Sequence, residues 1–177
     1  MTSPEVERLV AYEAIRQLVA RYAVSLDRRD LDTVVNLFVA DVRVGSEKGR
    51  PALRRSFETS MRSIGMTILT TGTHAIDVVD DDHASGIVYC ACQLQDGDRW
   101  VHQAIVYDDT YRREAGTWYF VRRLHRLFYG ADVGANPLGL PPANWPEHHT
   151  GRGTLPEAWE SWQEFWATPP PHEREST

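Results

Sequence analysis

Ala84–Gln95 (ASGIVYCACQLQ), the turn Asp96-Gly97-Asp98, and Arg99–Arg113 (RWVHQAIVYDDTYRR) form the stretch on which the fold turns. Two runs rich in β-branched and aromatic residues meet at an aspartate–glycine turn, which predicts an antiparallel hairpin. The same grammar extends to both sides. Upstream, Met66–Val79 reads as a strand that ends in Asp80-Asp81-Asp82-His83. Downstream, Glu114-Ala115-Gly116 turns the chain into a fourth strand, Thr117–Tyr129. Four strands joined by successive hairpins make an antiparallel meander.

Before the strands the apolar period changes from two to 3.6. Ser3-Pro4-Glu5 supplies a capping hydroxyl, a proline in the first turn and an acid favoured by the helix dipole. Leu9, Tyr12, Ile15, Leu18, Val19, Tyr22 and Leu26 then recur at helical spacing. Arg28-Arg29-Asp30 breaks that helix, and Asp30 can cap a second one over Leu31–Phe38. Gly49-Arg50-Pro51 opens a third, with Leu53, Phe57, Met61 and Ile64 on one face, and Gly65 ends it. Helices followed by a meander imply an α+β fold in which helices cover one face of a curved sheet and enclose a cavity. Gly130–Gly153 is an irregular arm rich in Gly, Pro and Asn. Residues 154–167 read as an aromatic helix with Trp159, Trp162, Phe165 and Trp166 in a stripe. The proline-rich tail that follows is expected to be disordered. Residues 1–130 are expected to form the α+β domain, with 131–177 as its C-terminal arm, helix and tail.

A chain of 177 residues, 42% hydrophobic and 25% charged, has the size and composition of one soluble domain. Its net charge of −6, with scattered arginines, argues against nucleic acid as a partner. No run of 18 apolar residues predicts a membrane span, and the acidic N-terminus lacks a signal-peptide core. Cys90 and Cys92 point the same way on one strand, so they are expected to be free thiols in a reducing cytoplasm. His148-His149 lacks the spaced partners a metal needs. No metal and no cofactor are therefore expected.

The helix Ala14–Asp27, the Asp30-Leu31-Asp32 start of the second helix, and Tyr107–Arg113 with Gly116-Thr117-Trp118 and Arg123 together resemble the SnoaL-like branch of the nuclear transport factor 2-like superfamily. The resemblance covers about residues 5–130. It implies a cone-shaped, cystatin-like α+β fold, assembled as a dimer or trimer through the outer face of the sheet. It also implies a site at the end of the first helix. The family's dehydratases carry a tyrosine and an aspartate there, which match Tyr22 and Asp27. Their sheet histidine falls near Thr70 or Gly72, two to four residues before His74. An offset of two or four preserves strand parity. The arginine in the last strand of the bile-acid enzyme corresponds best to Arg126.

These residue types fit one chemistry. Water loss beta to a carbonyl needs a base for a carbon-bound proton and an acid for the leaving hydroxyl. A histidine oriented by a buried carboxylate serves both roles, and a tyrosine can donate to a developing enolate oxygen. The expected function is a cofactor-independent dehydratase or double-bond isomerase acting on a hydrophobic, steroid- or polyketide-like cyclic substrate. A polyketide cyclase and a non-catalytic small-molecule binder remain alternatives. Asp27, His74 and Tyr22 are the catalytic candidates, and Tyr107, Arg126, Thr70 and Tyr89 the substrate-binding ones. Each has a plainer reading. Asp27 can pair with Arg28 or Arg29, His74 can be a satisfied strand residue, and Tyr22 can be a core tyrosine. Tyr22 and Asp27 are about 140° apart on an ideal helix, so both reach one pocket only where the helix ends. Asp109 is expected to pair with Arg123 across neighbouring strands. Of the adjacent His125 and Arg126 only one can face the pocket, and the resemblance prefers Arg126.

Overall fold

The computed structural model describes residues 3–144, 146–147, 150–154 and 156–170. The expected disorder of the tail concerns mostly residues outside that range, as does the His148-His149 pair. Helix α1 (Pro4–Asp27) starts where Ser3 Oγ accepts the Val6 N–H at 3.3 Å. It ends in a paired reversal: Arg29 N–H donates to Leu26 O at 3.0 Å and Asp30 N–H to Ser25 O at 2.9 Å. This arrangement normally places glycine at the left-handed residue. Here that residue is Arg29, at φ 58°. A non-glycine backbone there costs on the order of 1 kcal/mol, which the buried arginine side chain must offset.

Asp30 then caps helix α2 (Leu31–Asn36) by accepting the Thr33 N–H at 2.9 Å. This helix is shorter than the sequence period implies. Phe38 has left it and pairs with Phe120, and Val39 N–H donates to Phe120 O at 2.9 Å. A two-residue hairpin, β1 (Arg43–Val44) with β2 (Glu47–Lys48), leads into α3 (Arg50–Ser63), which buries Leu53 and Met61.

Strands β3 (Thr67–Val78), β4 (His83–Asp96), β5 (Arg99–Glu114) and β6 (Thr117–Asp132) form one antiparallel sheet in sequence order. The expected meander is thus present, with β6 running on to Asp132 rather than stopping at Tyr129. Residues 84 to 94 of β4 alternate strictly, the even ones buried and the odd ones exposed, which defines an inner and an outer face. Three bulges interrupt this rule elsewhere. One lies between Thr71 and His74 of β3. The other two insert Val121 and Phe128 into β6. An extra residue switches which parity faces inward and bends the strand. The inner face packs on α1, with Tyr111, Phe120, Ile15 and Val34 fully buried.

The chain after β6 crosses the surface and returns through a 3-10 turn, Pro156–Ala158, to helix α4 (Glu160–Ala167). The aromatic helix therefore begins later than its sequence period suggests. It docks on the same chain: Ser161 Oγ donates to Arg28 O at 2.8 Å, and Arg62 donates to Thr168 O at 2.7 Å while lying over the Phe165 ring. No helix among the described residues is long and apolar enough to cross a membrane.

Candidate active site

The helices and the inner sheet face enclose a cavity of about 410 Å3. Tyr22 and Leu26 come from α1, Phe57 and Met61 from α3, and Leu69, Cys92, Ile105 and Tyr107 from the sheet. Its polar lining includes Arg29, Thr67, Gln103, His125 and the two tyrosines. An apolar chamber with a few converging polar groups has the composition of a small-molecule site.

Asp27 is buried and does not itself line the chamber, but it is hydrogen-bonded to Thr67 and Leu69, which do. Its Oδ1 accepts from Thr67 Oγ at 3.0 Å and its Oδ2 from the Leu69 N–H at 3.0 Å. Thr67 in turn accepts from Arg29 Nη1 at 2.9 Å, so the hydroxyl relays between a buried carboxylate and a buried guanidinium. Burial raises the Asp27 pKa to about 6, against the pull of those two donors and Arg29. Burial likewise lowers Arg29 to about 10. Arg29 also donates to Leu26 O and Gly65 O, and these contacts hold its left-handed backbone in place.

His74 is elsewhere. Its Nε2 lies 3.1 Å from Tyr111 Oη, and Tyr111 donates to Asp109 Oδ2 at 2.8 Å. Because the phenol proton is committed to Asp109, the imidazole must donate at Nε2. Leu69, which holds Asp27, precedes His74 by five residues, roughly 15 Å along a strand. The structure thus brings Tyr22 and Tyr107 together, with ring centroids 6.1 Å apart, but not Asp27 and His74. The bulge also defeats the parity argument: His74 faces inward opposite buried Val88, whereas Thr70 faces outward opposite Ala91.

Three of the four substrate-binding candidates are outside the chamber. Thr70 is exposed on the outer face. Tyr89 is an odd-numbered residue of β4 and stacks edge-on against Phe128, also outside. Arg126 is exposed and ion-paired with Asp108. The Val121 bulge explains this last correction. Trp118 and Phe120 are inward before it, and Arg123 and His125 after it, so His125 takes the place expected for Arg126. The His125 imidazole packs edge-on against Tyr107 at 5.6 Å, and burial lowers its pKa below the usual 6.5.

Behind the tyrosines, Asp109 and Arg123 form the expected cross-strand pair, fully buried. Arg123 Nε donates to Oδ1 at 2.9 Å and Nη2 to Oδ2 at 2.6 Å. The guanidinium lies 4.3 Å from the centroids of both Tyr22 and Tyr107 and fixes their rings. Burial raises the Tyr22 pKa to about 12 and the Tyr107 pKa further still, so both phenols keep their protons. Cys90 and Cys92 are free, and burial raises them to about 11 and 12, which makes them poor nucleophiles. Among the described residues no group of three His, Cys, Asp or Glu side chains is placed to hold a metal ion.

Residues 7–124 match the model of the SnoaL-like domain. The chain belongs to the SnoaL-like family. Solved structures with the same fold include LinA-type3 hexachlorocyclohexane dehydrochlorinase from Novosphingobium barchaimii, at 22% identity and TM-score 0.66, covering 75% of this chain and 96% of that one. A proposed scytalone dehydratase from Novosphingobium aromaticivorans is 22% identical with TM-score 0.64, over 75% of this chain and 93% of that one. An NTF2-like protein with a cystatin-like fold from the same species is 24% identical with TM-score 0.58, over 70% and 86%. At these identities the likeness establishes the cone fold of this SnoaL-like domain and nothing about its substrate. No curated protein matches the chain.

Proposed function

We propose that the protein is a cofactor-independent acid–base enzyme of lyase or isomerase type that acts on a small hydrophobic cyclic substrate. The observation that carries this reading is His125: an imidazole with a lowered pKa on the wall of an apolar chamber, open to solvent on one side and edge-on to the protonated Tyr107. A neutral imidazole in that position accepts a proton from a carbon next to a carbonyl. Tyr22 and Tyr107 donate hydrogen bonds to the oxygen that gains charge. In an elimination, the C–H electron pair becomes the new double bond, and the leaving hydroxyl departs as water after taking a proton. Asp27 supplies that proton through Thr67, which lines the chamber and is hydrogen-bonded to it. His125 thus replaces His74 as the base.

The test needs only proton abstraction, not the natural substrate. The protein should accelerate exchange of the protons next to the carbonyl of 2-tetralone in D2O, followed by NMR, and His125→Gln should slow that exchange about 100-fold. Exchange that is undiminished in His125→Gln would refute the assignment. One observation favours a second reading, a binder without chemistry: the Asp27 carboxylate is held by Thr67 and Leu69 and no histidine touches it. Tight binding of 2-tetralone with no exchange in the unmodified protein would establish that reading instead. In either case the exposed Ile87, Tyr89, Leu124 and Phe128 on the outer sheet face support assembly into a homo-oligomer, which sedimentation measures directly.

A further inference from the structure

A second hollow of about 200 Å3 lies on the far side of Tyr22, Leu53 and Phe57, which line both it and the large chamber. Its rim carries Arg43 from β1 and Arg122 from β6, and its wall carries the buried Arg123. Among the described residues no carboxylate lines it, and no side-chain hydrogen bond or ion pair holds Arg43 or Arg122. Arg123 has two nitrogens on Asp109, and its Nη1 is buried without a partner. Arg122 and Arg123 reach the hollow from consecutive positions just past the Val121 bulge of β6, and Arg43 reaches it from β1. This happens on a chain whose net charge is −6, so the local field runs against the average.

We propose that this hollow is a carboxylate subsite, and that the ligand is an apolar ring body ending in a carboxylate. The body occupies the large chamber, and the half-buried Phe57 ring turns aside to let the acid reach Arg43 and Arg122. Guanidinium groups suit this task, since each offers paired donors to a carboxylate. The inference rests on the reading of the large chamber as a ligand site and adds to it the chemical class of the ligand.

The test compares 1-pyrenebutanoate with 1-pyrenebutanol, which share one body and differ in the acid, by fluorescence titration of the full chain. The butanoate should bind about 10-fold more tightly at low salt, and the advantage should shrink as salt rises. In the double variant Arg43→Gln, Arg122→Gln the two probes should bind within about twofold of each other, with butanol binding unchanged. Equal binding in the unmodified protein, or a preference that survives in the double variant, overturns the subsite but leaves the chamber standing. Failure of both probes to bind overturns the chamber reading and this proposal with it.

Discussion

Replacing Asp27 by asparagine tests whether the helix end is a desolvated proton site or a solvated pin. Burial moves the Asp27 carboxyl from its ordinary 3.8 to about 6. The folded state therefore binds more protons than the unfolded chain between these values. The stability this carboxyl contributes is fully present below pH 3.8 and is lost as pH rises through about 6. The size of that loss is roughly 3 kcal/mol. The asparagine of the variant keeps the shape and carries no charge, so it escapes the loss. It gives up one acceptor, because the amide cannot accept from both Thr67 Oγ and the Leu69 N–H, a cost of about 1 kcal/mol. It also leaves the buried Arg29 without its counter-charge. Urea denaturation of both proteins from pH 4 to 8 isolates the effect, since the surface acids titrate alike in the two and cancel. The stability of Asp27→Asn relative to the unmodified protein should rise by about 2–3 kcal/mol across that range. Parallel curves would refute the reasoning, and so would a 13C titration of the Asp27 carboxyl with a midpoint near 4.

The other expectations are briefer. Asp109→Ala strands the buried Arg123 charge and should cost about 3–5 kcal/mol, whereas Asp109→Leu with Arg123→Met should recover most of it; thermal melts distinguish the two. Gly86→Ala places a methyl 2.9 Å from Ala75 O and 3.1 Å from Tyr111 Oη, so it should cost about 1–3 kcal/mol and shift the NMR signals of the His74 ring. The lowered pKa of His125 keeps its base form dominant above pH 6.5, so proton exchange should be flat from pH 7 to 8 and fall only at pH values below the ordinary 6.5 of an imidazole. A profile that climbs through pH 7 would point to a different base.

The fold was legible because both of its signals are local. The helical period of α1 and the turns Asp96-Gly97-Asp98 and Glu114-Ala115-Gly116 specify their elements without reference to the rest of the chain. The site was less legible, for two physical reasons. Alternation assigns a face only along an uninterrupted ladder. Nothing in Thr71-Gly72-Thr73-His74 or Phe120-Val121-Arg122 declares a bulge before the partner strand is present, so parity put Thr70 on the face of His74, and the choice between His125 and Arg126 fell to the resemblance. Arg29 was hidden by its backbone, because an arginine at a helix C-terminus gives no sign that it will adopt φ 58° and turn its side chain into the core. Gln103 could have been found, since it shares parity with Ile105 and Tyr107. Tyr22, Asp27 and the Asp109–Arg123 pair were readable because each depends on spacing within one element or across one hairpin.

The three bulges have a consequence for how such a chamber diversifies. Gain or loss of one residue in a plain strand would invert every side chain beyond it and expose half the core. At a strand position already bulged, losing one residue restores the plain ladder and leaves the downstream pairing intact. Gly72-Thr73, Val121 and Phe128 are therefore the places where a single-codon deletion leaves the sheet's partners and the faces of its side chains in place. They are also the places where position-by-position comparison with relatives slips by one, and a functional side chain is assigned to its neighbour.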